Sequence, residues 1–243
     1  MQENVYHTNY QLEDTYWWFV ARKKIIKKIL SLHVPKGSSV LDVGCGTGGF
    51  ASSLLGDYEV YGTDTSPLAL EYSRKRGVKN LFLGTLSDLR ENGAPKATAA
   101  TMLDVLEHID DSMSALSDLY AILPKGGVLV ITVPAYQSLW SQHDLIHKHF
   151  RRYTKKTLNA ALRETGFTID YSTYFNTLLF LPAWLKRLVD KLTGADKHKD
   201  SPIDEVPEGI NKLFTKVFGF ESNLLPAIKF PFGLSILSVA YKK

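Results

Sequence analysis

Between Ser38 and Val133 the apolar positions fall into two textures: short continuous runs rich in β-branched residues, and longer stretches with an apolar residue every three or four positions. The runs predict strands over 39–43, 58–62, 80–83, 99–103 and 127–133. The periodic stretches predict helices over 49–55, 67–76 and 111–123. Strand followed by helix, repeated, is the pattern of a parallel sheet covered on both faces. Upstream, Trp18, Ile25, Ile29 and Leu32 recur at close to helical spacing and predict an amphipathic helix over 14–32 with a basic opposite face. Past Pro134 the texture changes. Residues 136–153 are rich in histidine, aromatic and basic residues and read as an ordered loop. A helix over 154–165 closed by Gly166, a strand over 167–174 and a helix over 178–192 follow, the last apolar at Leu181, Trp184, Leu185, Leu188 and Leu192. Residues 193–209 have the composition of a mobile linker, and a helix over 211–224 and a final strand over 233–241 complete the series.

A length of 243 residues suits one α/β domain with elaborations. The expected division is a cap over 1–34, a core over 35–174 and 226–243, and a helical insertion over 175–225. Lys and Arg number 29 against 25 Asp and Glu, and the resulting charge of +4 is too mild to predict a nucleic-acid partner. A small-molecule substrate is expected instead, with the oligomeric state open. Cys45 is the only cysteine, so no intramolecular disulfide can form and a reducing, cytoplasmic setting is expected. The amino-terminal residues do not read as a signal peptide, and no apolar run reaches the roughly 18 residues of a membrane span. Peripheral membrane contact through 178–192, with Lys186, Arg187 and Lys191 at the headgroups, stays open beside core cover and substrate lid.

The chemistry concentrates at VLDVGCGTGGF, residues 40–50. A buried strand breaks into a glycine-rich turn, and Asp64 ends the next strand, where its carboxylate could hold a ribose diol. Gly44, Gly46 and Gly49 also fit the dinucleotide spacing G-x-G-x-x-G, so a nicotinamide-dependent oxidoreductase is one alternative. Asp42 on the strand side of the turn argues against a pyrophosphate there, because like charges repel.

With Gly48, the pattern D-x-G-x-G-x-G resembles the first motif of class I S-adenosylmethionine (SAM) methyltransferases. Met102-Leu-Asp-Val-Leu-Glu-His108 is similar to the fourth motif of that family, and Leu123-Pro-Lys-Gly-Gly127 to its fifth. The resemblance implies a Rossmann-like, doubly wound, seven-stranded sheet, mostly parallel, with the seventh strand antiparallel at the sheet edge beside the sixth. It implies S-adenosyl-L-methionine as cofactor, held by Asp42, Gly44, Cys45, Gly46, Gly48, Asp64 and Thr65, with Thr85, Leu86, Leu103 and Leu106 around the adenine. Asp88 could replace Thr85 there. Tyr16-Trp17-Trp18-Phe19 and Arg22 resemble a cap helix, which puts Trp18 and Arg22 at the cofactor and Tyr16 and Trp17 at the substrate.

Methyl transfer is an in-line displacement, so alignment supplies much of the catalysis. His149 is the preferred general base and His108 a second candidate. His143, Arg151, Arg152 and Tyr153 are candidate substrate contacts, the arginines because a guanidinium matches carboxylate or phosphate. Some quinone O-methyltransferases of similar sequence bind a divalent metal near the fourth motif. Here Glu107 and His108 are expected to cap or pair locally, and no metal is expected. The expected activity is O-methylation of a small acceptor, lipid-linked or anionic. A SAM-binding regulator without catalysis is the other alternative.

Overall fold

In the computed structural model, which describes residues 3–193 and 206–243, the predicted strands form one seven-stranded sheet. The strands are β1 (Ser39–Val43), β2 (Glu59–Asp64), β3 (Asn80–Leu83), β4 (Ala99–Leu103), β5 (Val128–Pro134), β6 (Phe167–Phe175) and β7 (Ser235–Lys242). Their order is β3-β2-β1-β4-β5-β7-β6. The first five run parallel, and β7 pairs antiparallel with both β5 and β6. β7 is therefore inserted between β5 and β6, and β6, not β7, holds the edge.

Alternate residues of the central strands feed two cores. Val40, Ala99 and Val128 enter one, and Leu41, Ala100 and Leu129 enter the other. That split is the period of two of a strand covered on both faces. The first core is closed by α2 (Trp17–His33) through Ala21, Ile25, Ile26, Ile29 and Leu30. The stripe is rotated from the expected one: Leu30 is buried and Leu32 is exposed. The second core is closed by α5 (Ser112–Ile122) and α7 (Lys155–Glu164), with α3 (Pro67–Lys75) on the opposite face.

Several elements differ from expectation. A helix α1 (Glu3–Leu12) precedes residue 14, where none was predicted. The helix expected over 49–55 is a short 3-10 turn, Ala51–Leu54. A one-turn helix α4 (Leu86–Glu91) follows β3, capped by Thr85 and Asp88 in a reciprocal box. The loop after β5 contains a short helix α6 (Gln142–Ile146). The helices expected over 178–192 and 211–224 are α8 (Phe180–Thr193) and α9 (Glu208–Leu224). The linker expected over 193–209 falls mostly on 194–205, outside the described residues.

The insertion is tied into the core. Phe218 of α9 is buried against α2, and Trp17 meets Phe214 and Phe218 edge to face at 5.4 and 6.0 Å. Asn211 accepts from Trp17 N at 2.8 Å and donates to Thr15 O at 2.9 Å, so α9 clamps the start of α2. Buried Glu221 accepts from the backbone N–H groups of Asn176, Thr177 and Leu178 at 2.7 to 2.9 Å, fixing the turn that leads into α8. Among the described residues no helix is long and apolar enough to cross a membrane.

Candidate active site

The strand order reverses between β1 and β4, and a cavity of about 1150 Å³ opens at the carboxyl ends of the strands there. It exceeds the roughly 300 to 1,000 Å³ of ordinary small-molecule sites, which leaves room for two reactants.

One end is built by the glycine turn. Gly44 and Gly46 have φ of 63° and 55°, a region that costs residues with a Cβ. A Cβ on Gly44 would lie 2.6 Å from Val105, whereas one on Gly46 would meet nothing within 4 Å, because Gly46 borders the cavity. Gly46 N donates to Asp64 Oδ2 at 2.9 Å, and Ser66 N donates to Asp64 Oδ1 at 2.9 Å. A carboxylate has about four lone-pair sites, so Asp64 can still accept from a diol. Asp42 is buried at the end of β1 and accepts from Thr101 Oγ1 at 2.6 Å. Burial outweighs that bond and pushes its carboxyl up to about 7.

The amino-terminal segment forms a wall that sequence reasoning missed. Tyr6, Asn9 and Glu13 line the cavity. Glu13 accepts from Thr47 Oγ1 at 2.6 Å and packs on Gly49, while Asn9 Oδ1 is buried without a partner. The signal was weak: Asn9 lies one helical turn after Val5 and Tyr6 in ten mostly polar residues. Arg22, stacked 4.3 Å from the Trp18 ring, pairs with Asp104 at the end of β4.

The other end carries a buried polar knot. Asp144 of α6 accepts from Arg152 Nε at 2.8 Å, from a terminal Arg152 nitrogen at 2.9 Å, from His149 Nδ1 at 2.8 Å and from Ser141 N at 2.9 Å. Burial opposes its ionisation, but the His149 and Arg152 hydrogen bonds hold the carboxyl well below the usual range. An ionised carboxylate only accepts, so Nδ1 of His149 carries the hydrogen and Nε2 is the basic nitrogen. The rings of His108 and His149 lie 4.5 Å apart and those of His143 and His147 lie 4.2 Å apart. Burial pushes His108 and His143 down to about 3, and neighbouring imidazoles add to the fall. Glu107 is buried with Oε2 unpartnered, and burial, then the nearby Asp104, raises its carboxyl well above the usual range. Glu107, His108 and His149 bring one ligand atom each to within 4.8 Å of one another, a set that could hold a divalent cation.

A family model described as "Methyltransferase domain" matches residues 17–172, from the cap helix to β6. The chain belongs to the methyltransferase family. The cofactor of this class I family is S-adenosyl-L-methionine. A "Ubiquinone biosynthesis O-methyltransferase" of Haemophilus ducreyi is 33% identical over 107 residues, 40% of this chain and 45% of that protein. A "Probable S-adenosylmethionine-dependent methyltransferase" of Mycolicibacterium smegmatis is 26% identical over 165 residues, 65% of this chain and 62% of that protein. The chain thus spans about half to three fifths of these curated relatives. A SAM-dependent methyltransferase structure from Thermotoga maritima superposes with a TM-score of 0.60 at 20% identity, covering 99% of this chain and 96% of that one, a likeness of fold.

The described residues of this methyltransferase fit that cofactor. Gly46 leaves open space at the turn, Asp42 and Asp64 stand at the strand ends, and the orphaned Asn9 Oδ1 is a waiting acceptor. Trp18, Arg22, Asp42, Gly44, Cys45, Gly46, Asp64, Thr65, Thr85, Leu86 and Leu103 all border the cavity, as do Tyr16, Trp17, His108, His143, His149 and Arg152. The remaining expected contacts do not. Gly48 packs on Ser73, where an added Cβ would come within 2.8 Å of the backbone, and Leu106 is fully buried in the second core. Tyr153 is in that core too, and the Arg151 guanidinium turns away to Asp110 O at 2.6 Å. Asp88 is held by the helix cap, bonded to Thr85 N at 2.8 Å, which leaves Thr85 at the cavity. Arg152 borders the cavity, but its fork is occupied by Asp144, and its other terminal nitrogen donates to Ala135 O at 3.2 Å, so it is not a substrate clamp. The local capping expected of Glu107 and His108 is replaced by a cluster with His149.

Proposed function

We propose that this chain, read as one methyltransferase domain, methylates an oxygen of a small acceptor that is anionic or lipid-linked. The observation that carries the proposal is the Asp144–His149 hydrogen bond at the cavity wall. When bound, S-adenosyl-L-methionine supplies an electrophilic methyl group on a sulfonium. A hydroxyl acceptor must shed its proton as it is methylated, and a base in place contributes typically 10² to 10⁴ in rate. His149 Nε2 takes that proton, and Asp144, fixed by Arg152, orients the ring and stabilises the imidazolium. Burial keeps His108 and His143 neutral beside it, so they add no charge that would oppose protonation of His149. Asp64, Asp42 and the Gly44–Gly46 backbone orient the donor, while Trp18, Arg22 and the amino-terminal wall exclude water. Lys186, which donates to Asp190 at 2.9 Å, and Arg187 also stand on the cavity wall. O-methylation also accords with the partial likeness to ubiquinone-pathway O-methyltransferases.

Replacing His149 with alanine is expected to cut turnover about 10² to 10⁴-fold on a panel of phenols, carboxylates and phosphates, with affinity for S-adenosylhomocysteine unchanged. Unchanged turnover overturns the assignment. Parallel calorimetric titration with NAD guards the cofactor: binding of NAD alone would overturn the methyl-transfer reading, and tight homocysteine-nucleoside binding without turnover on any acceptor would favour a regulator.

The close approach of Glu107, His108 and His149 favours a second reading, in which these three residues would hold a divalent cation whose Lewis acidity would ease deprotonation of the acceptor hydroxyl. Loss of turnover on chelation, restored by Mg²⁺ or Zn²⁺, would select it over the free base.

A further inference from the structure

Helix α8 presents its two faces in the reverse of the usual order. Leu181, Trp184, Leu185 and Leu188 follow the helical spacing i, i+3, i+4, i+7 and form one stripe with Val189 beside it. These five side chains are 60%, 41%, 46%, 42% and 55% exposed in that sequence order. Ala183, Lys186, Arg187 and Asp190, on the other side of the helix, line the cavity, and Pro182 reaches it from the margin of the stripe. A helix on a water-facing surface buries its apolar stripe and exposes its charges. Here the charges face the site and the leucines face out. Leu178, just before the helix, and Phe232, whose ring lies 5.3 Å from that of Phe180, extend the patch at 45% exposure each.

Three occupants could cover this stripe, and the observations favour one. The adjoining chain is a poor cover, because residues 194–205 read GADKHKDSPIDE with Ile203 as the only large apolar residue. A second copy is disfavoured by area. With Leu178 and Phe232 the patch presents on the order of 600 Å², at the upper end of a monomer's functional patch and below the roughly 800 Å² per partner of a stable interface. A bilayer surface asks for no minimum area and no matching shape. It takes a tryptophan and aliphatic side chains at the headgroup boundary, and anionic lipid complements a protein of net charge +4.

We propose that α8 is an interfacial anchor that seats the protein on an anionic lipid surface, with its stripe in the headgroup boundary. The cavity then lies one helix diameter, about 10 Å, behind the membrane surface, and α8 is at once its wall and its attachment. The anchor rests on α8 alone and holds whichever acceptor the site methylates. Amphiphilic acceptors could enter from the bilayer without crossing bulk water.

The test is flotation of the full chain with phosphatidylcholine vesicles, with and without phosphatidylglycerol. The wild type is expected to float with the anionic vesicles and to release as salt is raised. The double substitution Leu185→Glu and Leu188→Glu, at exposed positions outside the cavity, is expected to weaken vesicle binding by at least roughly 100-fold. Its melting temperature and its affinity for S-adenosylhomocysteine should match the wild type, which separates loss of the anchor from loss of the fold or of the methyltransferase site. A wild type that stays in the aqueous phase overturns the proposal, and so does a double variant that floats as well as the wild type. A wild-type dimer that the same substitutions dissociate would assign the stripe to a second copy and overturn it as well.

Discussion

The two ends of the cavity are built on different principles. At the glycine turn, Asp42, Gly44, Gly46 and Asp64 stand at the ends of the adjacent parallel strands β1 and β2, whose backbone ladder continues into the turn through Cys45 N donating to Thr63 O at 2.9 Å. At the histidine end, Glu107, His108, Asp144, His149 and Arg152 come from two loops after different strands and are held by side chains, with buried Asp144 at the centre. A backbone-borne site keeps its shape when one side chain is removed, because the ladder persists. A site borne by side chains does not. Substitutions at the first end should therefore change affinity, and those at the second should change turnover and stability together.

The largest effect is expected at the hub. Asp144→Ala leaves the Arg152 guanidinium buried without its carboxylate and should lower unfolding free energy by about 3–5 kcal/mol, measured by denaturant titration. A loss under about 1 kcal/mol would mean that the histidine end is not organised by this pair.

Asp42→Asn tests the first end through pH. The folded carboxyl ionises near 7 and the unfolded one near 3.8, so the wild type binds the extra proton when folded. Its contribution is present below about 3.8 and is lost as pH rises through 7, worth about 4 kcal/mol in total. Asn cannot ionise and keeps an acceptor for Thr101, so the variant should gain on the wild type between pH 5 and pH 8. A stability difference that does not move with pH breaks this account.

Asp64→Ala removes the acceptor of Gly46 N and Ser66 N but leaves the β1–β2 ladder in place, and should weaken S-adenosylhomocysteine binding roughly 100-fold, about 2.7 kcal/mol, by calorimetry. A comparable loss of stability instead of affinity would erase the contrast between the two ends.

Legibility followed the same division. The strands of the parallel half, the glycine turn and Asp64 were readable because each signal is local: β-branched runs, glycines where φ is positive, a carboxylate at a strand end. Helix α1 was not, because its ten residues carry too few apolar positions to show a period, and it is held by Tyr10 stacked at 4.2 Å on Tyr72 and by Arg76 bonded to Tyr10 O at 2.7 Å. Arg151 and Arg152 looked equivalent in sequence. One is turned out to Asp110 and the other is locked on Asp144, a choice made by what lies within reach of each guanidinium. The edge position of β6 was equally hidden, since strand order is set by crossovers and not by the strands themselves.

By itself, the sequence determined the α/β alternation, the parallel half of the sheet and the glycine turn after β1, because these depend on periodicity and on backbone freedom at particular glycines. Only the tertiary structure decided that Asp144, and not Arg152, faces His149 as its partner, that Glu107 joins the histidines, and that α8 turns its charges to the cavity and its leucines outward. Those are contacts between segments remote in the chain, and their energetics depend on burial and distance, which no local pattern encodes.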